Sequence, residues 1–363
     1  FLDLRKQNLN IENKIINSIK KNISSSSFIG GSDLINFEKE FKNYLNIKYC
    51  LGLANGTDAL EIAIKTLNLK KNSEVLVPAN TWISTAEAVL NNNFKLKFVD
   101  VDETHNICIK DLKNKISKNT RAVIVVHLYG NPANLKKILA LKRKHKFKII
   151  EDCAQSHGAE YNGKKISTFG DIGTFSFFPS KNLGCYGDGG CVVTKNKKLY
   201  VNMKKIANHG GLKKNQHTLI GRNSRLDTIQ AAILLEKFAI FPDEVERRQK
   251  VAAWYDALLK DAVITPFISP GNTSVYAQYT IACNERASLQ EHLKKNGIPS
   301  GVYYPMPAHL QPAYKGLGYK QGDFPVAEKT VNNILSLPMH PYLSEHEVAE
   351  IGRVVNQLVL AEV

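Results

Sequence analysis

Short apolar segments alternate with amphipathic helical stretches through the first 240 residues, and this alternation restricts the fold more than any other feature of the chain. Apolar segments of strand length occur at 49–54, 75–77, 94–99, 122–126 and 148–150. Apolar residues with helical spacing lie between them, over 59–67, 109–116 and 134–145. Strands separated by helices at this spacing predict a doubly wound α/β fold with a mostly parallel sheet. Ligands bind such sheets at the carboxyl ends of the strands.

The length of the chain predicts more than one core. A chain of 363 residues is too long for one simple core, so we expect two domains. The predicted domains are 1–240, a large sheet domain with an N-terminal helical segment, and 241–363, a linking helix with a small α/β domain. Helical spacing also occurs at 10–22, 32–45, 197–207, 225–239 and 243–259. In the small domain, apolar patterns predict strands at 274–282 and 301–304, and helices at 286–296, 325–334 and 345–360.

Composition and charge exclude several classes of protein. The formal net charge is +16, yet the lysines are spread over the first two thirds of the chain rather than gathered into a patch. We therefore expect an anionic small substrate and no nucleic acid. The longest apolar runs are strand-sized, so we expect no membrane span.

Cellular location and metal binding follow from a few further residues. The first residues are charged and lack an apolar signal region, and six scattered cysteines show no Cys-x-x-Cys spacing. Both features predict a cytoplasmic protein with reduced thiols. The segment 346–350, His-Glu-Val-Ala-Glu, lacks the second histidine of a zinc-binding helix, so we expect no metal site.

One lysine follows a predicted strand in unusual surroundings. The strand covers 173–177, and Pro179 ends it because proline has no N–H group for a ladder. Lys181 comes next, ahead of a glycine-rich loop that ends at Gly190. Apolar neighbours would remove water from the amine and favour its neutral, nucleophilic form, which a Schiff base requires. On this stretch alone, an exposed loop lysine is an equally good interpretation.

Three further segments place ligand-binding groups after predicted strands. Asn55–Asp58 follows the first strand and opens a helix, so it presents free N–H groups and a hydroxyl to an anion, most often a phosphate. Asp152 ends a buried strand, where a carboxylate requires a cationic partner such as a protonated pyridine nitrogen. Trp82 lies in a polar loop and offers a flat surface to an aromatic ligand. Helix capping for the first two and packing for Trp82 are the alternatives.

Six short motifs occur in order along nearly the whole chain. They are Ala54–Leu60 (Ala-Asn-Gly-Thr-Asp-Ala-Leu), Pro78–Trp82 (Pro-Ala-Asn-Thr-Trp), His127–Gly130 (His-Leu-Tyr-Gly), Glu151–Ala159 (Glu-Asp-Cys-Ala-Gln-Ser-His-Gly-Ala), Phe175–Lys181 (Phe-Ser-Phe-Phe-Pro-Ser-Lys) and Asn223–Asp227 (Asn-Ser-Arg-Leu-Asp). In this series the chain resembles the fold-type I sugar aminotransferases that use pyridoxal 5′-phosphate (PLP), the DegT/StrS-like family. The resemblance implies the fold-type I aminotransferase fold, PLP as cofactor and transamination as activity.

The resemblance also implies catalytic roles for the unusual residues. Lys181 is similar to the lysine that forms the Schiff base with PLP and shuttles the proton. Family members with histidine at this position are dehydratases, so the lysine favours transamination. Asp152 would keep the pyridinium nitrogen protonated, so that the ring works as an electron sink. Trp82 would stack on the ring, and Gln155 would contact its 3-hydroxyl side.

The phosphate and the neighbouring subunit complete the implied site. Gly56, Thr57 and Ser176 would bind the phosphate of PLP. In this family the residue at Asn223 reaches the phosphate of the neighbouring subunit's cofactor. The resemblance therefore implies a homodimer whose active sites are shared across the interface.

The segments 178–190 and 274–280 look most like the branch that acts on 3-keto nucleotide sugars. The implied substrate is UDP-2-acetamido-2-deoxy-3-keto-glucuronate, aminated with L-glutamate as donor in O-antigen, that is lipopolysaccharide, biosynthesis. The branch often has His-Tyr-Pro where this chain has Tyr-Tyr-Pro at 303–305. The candidates for substrate contact are His209, Arg225, Tyr303, Tyr304 and His309.

Other interpretations of the substrate stay open. A helix-end arginine, core tyrosines and surface histidines would explain the five candidates equally well. Aminotransferases for dTDP-3-keto-6-deoxyhexoses share features of 301–314 and are the main alternative. Aminotransferases for 4-keto nucleotide sugars come next, followed by a binding or regulatory homologue without catalysis.

Overall fold

A seven-stranded sheet forms the centre of the structure, a computed structural model that describes residues 1–359. Within these residues the helices are α1 Leu4–Ser24, α2 Ser32–Tyr44, α3 Gly56–Thr66, α4 Ile83–Asn91, α5 Ile109–Lys115, α6 Leu135–His145, α7 Lys197–Ala207, α8 Thr228–Phe238, α9 Phe241–Leu259, α10 Arg286–Lys295, α11 Pro325–Asn333 and α12 Glu345–Val359. Short 3₁₀ turns lie at Leu128–Gly130, Ala308–Leu310 and Pro312–Leu317. The strands are β1 Tyr49–Leu53, β2 Glu74–Pro78, β3 Lys95–Val99, β4 Thr120–Val126, β5 Lys148–Asp152, β6 Glu160–Tyr161, β7 Lys164–Lys165, β8 Ile172–Ser176, β9 Gly190–Thr194, β10 Asn272–Thr273, β11 Tyr279–Ala282 and β12 Ile334–Leu337.

The sheet is mostly parallel, as the strand–helix alternation predicts. Its order is β1-β9-β8-β5-β4-β2-β3, and only β9 runs against its neighbours. The sequence pattern did not predict β9. This strand follows β8 through a loop without a crossover helix between them, so the strand–helix–strand alternation does not mark it. The predicted α/β fold class is confirmed.

The parallel strands all end at one edge of the sheet. Leu53, Pro78, Val126, Asp152 and Ser176 are the last residues of β1, β2, β4, β5 and β8. The segments that carry five of the six motifs therefore leave the sheet at the same edge. This is the edge at which ligands bind in open α/β sheets.

The two faces of the sheet are covered by separate apolar cores. Successive strand residues point to opposite faces, so Val123 and Val125 of β4 belong to one core, while Ala122 and Ile124 belong to the other. Helix α2 contributes to the first core, and α3 and α4 contribute to the second. Burial on both faces explains why these strands are continuous apolar runs rather than alternating ones.

A third core forms in the C-terminal part of the chain. Its residues lie between Val251 and Val359 and come mainly from α9, α10, α12, β11 and β12. Ala308, Tyr314 and Phe324 return instead to the second core, against the large sheet. The predicted division after residue 240 stays a prediction, and residues 360–363 of the predicted small domain lie outside the described residues.

Two strand predictions near the site are wrong in extent. Of 301–304, only Gly301 pairs, in a single bridge with Ser336. Tyr303 and Tyr304 pack instead against the residues that follow β4. Of 274–282, only 279–282 forms the strand β11. The N–H groups before it are used elsewhere, because Val275 and Ala277 donate theirs to the turn after β4.

Several helix boundaries also differ from the sequence pattern. Helix α1 begins at Leu4 rather than at 10 and ends at Ser24 rather than at 22. Helix α8 begins at Thr228 rather than at 225, because Asp227 is extended and precedes the first turn. The stretch 325–334 ends as a helix at Asn333, and the following residues form β12 because they pair with β11. The last residue of the predicted helix 345–360 lies outside the described residues.

No helix within residues 1–359 combines the length and the apolar character that a bilayer crossing requires. Over the same residues, no group of three or more histidine, cysteine, aspartate or glutamate side chains is arranged to hold a metal ion.

Candidate active site

Helix α3 begins with its N-terminus open at the carboxyl edge of the sheet. Asn55 caps the helix, and its Oδ1 accepts the N–H of Asp58 at 2.7 Å. A Cβ on Gly56 would lie 2.6 Å from Cβ of Ser176, so only glycine allows this approach. Thr57 Oγ1 lies 2.8 Å from the hydroxyl of Ser84. The structure thus gathers hydroxyls around the positive end of a helix dipole, where an anion is stabilised.

Asp152 lies at the end of β5 and is 5% exposed. Its Oδ1 accepts the N–H of Ala154 at 3.2 Å, and its Oδ2 accepts the hydroxyl of Thr85 at 2.9 Å. Burial raises the pKa of Asp152, while these two hydrogen bonds and the charge of Lys181 offset part of the rise. The carboxylate has acceptor capacity left for a further, cationic partner.

Lys181 follows β8 in a turn in which its N–H donates to the carbonyl of Phe178 at 2.9 Å. Burial lowers the pKa of the ammonium, and the carboxylate of Asp152 offsets part of this effect. Each of the two charges therefore lies close enough to shift the pKa of the other group. A lowered pKa increases the neutral, nucleophilic fraction of an amine.

Gln155 connects two segments that line the site, the turn at Tyr129 and the segment at Tyr304. Its Oε1 accepts the N–H of Tyr129 at 2.8 Å, and its Nε2 donates to the hydroxyl of Tyr304 at 3.0 Å. The ring centroids of Tyr304 and Trp82 are 5.5 Å apart, and Trp82 is 57% exposed. Much of the indole surface is therefore free for a planar ligand. Burial and the charge of Asp152 raise the pKa of the Tyr304 phenol.

Asn223 lies at the rim of the site, on the segment that precedes α8. The neighbouring Ser224 accepts the N–H of Ala54 at 3.2 Å through its Oγ, which fixes this segment beside the start of α3. The Asn223 side chain is exposed. In a single chain it is therefore available to a second molecule.

His209 and Arg225 lie on the same rim. The backbone of Asn208 pairs with that of Asn223, and Arg225 Nη1 lies 3.4 Å from Asn208 Oδ1. His209 is exposed, and Arg225 is partly buried. The structure thus brings these two candidates together with Asn223.

Tyr303 and His309 occupy different positions. The carbonyl of Tyr303 accepts the hydroxyl of Tyr129, so this residue belongs to the wall of the site. His309 is 2% exposed, with its Nε2 3.0 Å from Glu328 Oε1 and its ring 4.5 Å from that of Phe324. An imidazole in this interior position cannot reach a ligand at the surface. The structure therefore corrects the prediction of His309 as a substrate contact, because the side chain is held inside the fold.

A second buried carboxylate stabilises the strand end that carries Asp152. Glu151 and His127 are both fully buried, and Glu151 Oε2 lies 3.2 Å from His127 Nε2. His127 Nδ1 accepts the N–H of Ala133 at 3.0 Å, so the ring proton is on Nε2 and points to Glu151. Glu151 also accepts the backbone N–H groups of Ser167, Phe169 and Gly170 at 2.8, 2.9 and 2.6 Å. These donors stabilise a charge that would be costly alone.

Sequence reasoning missed three polar residues of the site. Thr85 binds Asp152, Ser84 binds Thr57, and Tyr129 contacts both Gln155 and Tyr303. Tyr129 lies within the third motif, which was a signal that could have been used. The two hydroxyl residues follow the second motif in the first turn of α4, where a helix-capping function would have been expected.

Residues 9–357 match the model of the DegT/DnrJ/EryC1/StrS aminotransferase family. The chain belongs to this family. Relatives of similar length support the assignment. UDP-2-acetamido-2-deoxy-3-oxo-D-glucuronate aminotransferase of Pseudomonas aeruginosa is 43% identical, over 94% of this chain and 95% of its own. UDP-N-acetyl-3-dehydro-alpha-D-glucosamine 3-aminotransferase of Acidithiobacillus ferrooxidans is 40% identical, over 98% and 97%.

Other relatives carry different names. A protein of Geobacillus stearothermophilus named pleiotropic regulatory protein is 41% identical, over 96% of this chain and 95% of its own. dTDP-3-amino-3,6-dideoxy-alpha-D-galactopyranose transaminase of Aneurinibacillus thermoaerophilus is 37% identical, over 98% of each chain. The family assignment is therefore firm, while the relatives differ in the sugar nucleotide named.

Two solved structures superpose closely on this chain, the first of them a DegT/DnrJ/EryC1/StrS aminotransferase. One from Brucella abortus has a TM-score of 0.96 at 40% identity and covers 99% of both chains. NtdA of Bacillus subtilis, solved with the cofactor PMP, has a TM-score of 0.89 at 28% identity and covers 96% of this chain and 82% of its own. The family is PLP-dependent, so the expected activity and cofactor are both confirmed.

Proposed function

We propose that this aminotransferase adds an amino group at C3 of a nucleotide-linked 3-ketosugar, UDP-2-acetamido-2-deoxy-3-keto-glucuronate, with L-glutamate as donor. The observation that carries the proposal is that Lys181, just after β8, lies near the buried Asp152, which ends the neighbouring strand β5 at the carboxyl edge of the sheet. Two relatives named for UDP-linked 3-oxo sugars, at 43% and 40% identity, support the substrate. We place the reaction in the cytoplasm and in O-antigen biosynthesis; the six free cysteines are consistent with that location.

The residues at the carboxyl edge fit PLP. When bound, PLP supplies an electron sink for negative charge at the reacting carbon. Gly56, Thr57 and Ser176 would hold its phosphate at the start of α3, where an added Cβ on Gly56 would fill the space beside Ser176. Trp82 would stack on the ring with its exposed indole. Asp152 provides the carboxylate for the ring nitrogen.

Gln155 and Lys181 complete the proposed assignment. Gln155 would contact the 3-hydroxyl side of the ring, and its position is set by the hydrogen bonds to Tyr129 and Tyr304. Lys181 would be the covalent attachment point of the cofactor, and its Nζ would accept and return the proton of the reacting carbon of the substrate. Burial lowers the pKa of Lys181, which keeps more of the amine able to accept that proton.

The nucleotide sugar binds at the rim formed by 208–225 and by Tyr303 and Tyr304. Arg225 and His209 lie on that rim beside Asn223. A guanidinium suits the diphosphate of the substrate because it donates two parallel hydrogen bonds to anionic oxygens. The two tyrosines face the sugar from the wall next to Gln155. His309 is not among these contacts.

We also propose that the protein is a homodimer in which Asn223 serves the partner's cofactor. Two apolar side chains of the same rim, Leu212 and Ile220, are 48% and 83% exposed in the single chain, which suits an interface. Lys181→Ala and Asn223→Ala proteins should each have low activity. Purified mixed dimers should recover roughly half of wild-type turnover, since one of the two sites in each is complete, and a random equimolar mixture should recover roughly a quarter. Absence of recovery in dimers of verified mixed composition contradicts a shared site.

Parallel assays with UDP- and dTDP-linked 3-ketosugars test the substrate. With L-glutamate and PLP, we expect kcat/KM to be at least about tenfold higher for the UDP-linked uronate than for a dTDP-linked 3-keto-6-deoxyhexose. The amino sugar and 2-oxoglutarate are measured by mass spectrometry. UDP-2-acetamido-3-ketoglucose, which lacks the carboxylate, is the matched control for recognition of that group.

The same assay separates the alternatives. Preference for the dTDP sugar would assign the dTDP-3-keto-6-deoxyhexose reaction, which the 37% identical Aneurinibacillus relative favours. Turnover of a 4-keto nucleotide sugar, without turnover of either 3-ketosugar, would assign amination at C4 rather than at C3. Firm PLP binding without turnover of any of these sugars would support the regulatory alternative, in keeping with the name of the Geobacillus relative.

A further inference from the structure

We propose that Thr85, with Thr81 behind it, is a positioning residue that orients the Asp152 carboxylate and keeps it ionised toward the cofactor's ring nitrogen. This inference rests on the proposed role of Asp152. It adds to that role a function for the two threonine hydroxyls of the α4 turn, which is to stabilise the charge of the carboxylate. Thr85 is 1% exposed and Thr81 is 5% exposed, so both residues are buried away from bulk water.

The directions of the hydrogen bonds follow from chemistry. An ionised carboxylate only accepts hydrogen bonds, so Thr85 uses its single hydroxyl proton on Asp152 Oδ2, at 2.9 Å. The oxygens of Thr81 and Thr85 are 3.0 Å apart. Because the proton of Thr85 is already used, Thr81 must be the donor in this second bond. Both hydroxyl dipoles therefore point toward the carboxylate, and each strengthens the other.

Asp152 depends on this pair because it has few other donors. Its Oδ1 accepts the Ala154 N–H at 3.2 Å, and within residues 1–359 Thr85 is the single hydrogen-bond donor to Oδ2. Burial favours the protonated acid, which could not counter a pyridinium. A donor held at one oxygen works against that effect and also fixes the rotation of the carboxylate.

The same turn also carries the stacking residue. Trp82 caps α4, and the Thr85 N–H donates to the Trp82 carbonyl at 3.2 Å. One turn of chain therefore sets the position of the indole over the ring and the position of the hydroxyl behind Asp152. A shift of this turn would move both groups together, so the backbone of the turn fixes the position of the Trp82 indole relative to the Thr85 hydroxyl.

Replacing Thr85 by valine tests the proposal, because valine keeps the shape and loses the hydroxyl. We expect the PLP dissociation constant of Thr85→Val to rise by roughly 10- to 100-fold, the usual cost of a hydrogen bond to a charged group. We expect kcat to fall by a similar factor, with KM for the sugar nucleotide unchanged within about twofold. The visible absorbance band of the bound cofactor should change its pH dependence.

Two matched variants make the outcome decisive. Thr85→Ser keeps the hydroxyl and should recover PLP affinity to within about threefold of wild type. Thr81→Val leaves Asp152 untouched and should weaken PLP binding in the same direction by a smaller factor, about two- to threefold. It also provides a readout if Thr85→Val does not fold, as judged by thermal unfolding of the cofactor-free protein.

The possible results separate this inference from the proposed function. Wild-type PLP affinity in Thr85→Val, or equal impairment of Thr85→Ser and Thr85→Val, overturns the role of the hydroxyl. If Thr85→Val does not fold, unchanged affinity in Thr81→Val overturns it. If Asp152→Asn also binds and turns over normally, the proposed role of Asp152 itself fails. Impairment of Asp152→Asn alone leaves the proposed function intact and rejects only the threonine pair.

Discussion

Replacing Lys181 by alanine is expected to reduce turnover by roughly 10⁴-fold, the upper range for removal of a general acid–base. The amine is both the covalent attachment point and the proton carrier in the proposed site, and alanine provides neither. Burial lowers the pKa of this amine, and the neighbouring carboxylate of Asp152 offsets part of that effect. Steady-state assays measure the loss of turnover. Borohydride reduction followed by mass spectrometry measures the loss of the covalent link to PLP.

A surface lysine provides the control for this result. Lys144 is exposed near the end of α6, which leads into the first residue of β5 and so lies toward the edge of the sheet opposite the site, so Lys144→Ala should retain wild-type turnover and covalent labelling. After treatment with borohydride, the Lys181→Ala protein should carry no covalently attached cofactor, even when it binds PLP noncovalently. Normal turnover in Lys181→Ala refutes the assignment of the lysine and, with it, the proposed function.

Replacing Asp152 by asparagine is expected to lower kcat by roughly 10²- to 10³-fold. The substitution keeps the size of the side chain and removes the negative charge. Loss of one partner of a buried charge pair costs about 3–5 kcal/mol, and each 1.36 kcal/mol corresponds to a factor of ten. The ring nitrogen then loses its counter-charge. Asp152→Glu keeps the charge but displaces it, so intermediate activity is expected.

The cofactor-free protein offers an independent measurement on the same residue. Burial raises the pKa of Asp152 in the folded state, so the folded protein binds this proton more tightly than the unfolded chain. The contribution to the free energy of unfolding is then fully present below the unfolded pKa, about 3.9, and is lost as pH rises through the folded value. Asparagine has no such proton.

As pH rises from below about 3.9 through the folded pKa of Asp152, wild type should therefore lose stability relative to Asp152→Asn. Above the folded pKa, the difference in unfolding free energy between the two proteins should stay constant. Urea unfolding of both cofactor-free proteins at a series of pH values measures it. A difference that does not change with pH would mean that the carboxyl group is as well solvated in the fold as in the unfolded chain. It would contradict the electrostatic description of the site.

Much of the site could be predicted from the chain because its parts are local. A glycine and a threonine between a strand and a helix specify an anion site, since the N–H groups of that turn have no partners within the helix. Lys181 and Asp152 stand out because charged residues at the ends of apolar strands are costly unless they have a function. The structure brings these local features to one edge because the strands run parallel.

The substrate side was harder to predict for a physical reason. His309 and the rim residues were chosen by resemblance and by residue type, and neither criterion reports which way a side chain faces. The structure holds His309 in the interior against Glu328, whereas His209 is exposed. Tyr304 is connected to Gln155, 149 residues earlier in the chain, which no local pattern encodes.

The amino-acid sequence alone predicted the fold class and the family and proposed the residues for the cofactor, because periodicity, turn chemistry and each of the six motifs are contained within a few residues. Only the tertiary structure decided that β9 runs antiparallel, that His309 is internal, and that Thr85 donates to Asp152 across 67 residues of chain. Such contacts depend on how helices pack on the sheet. That packing is set by the whole core, and no single segment contains it.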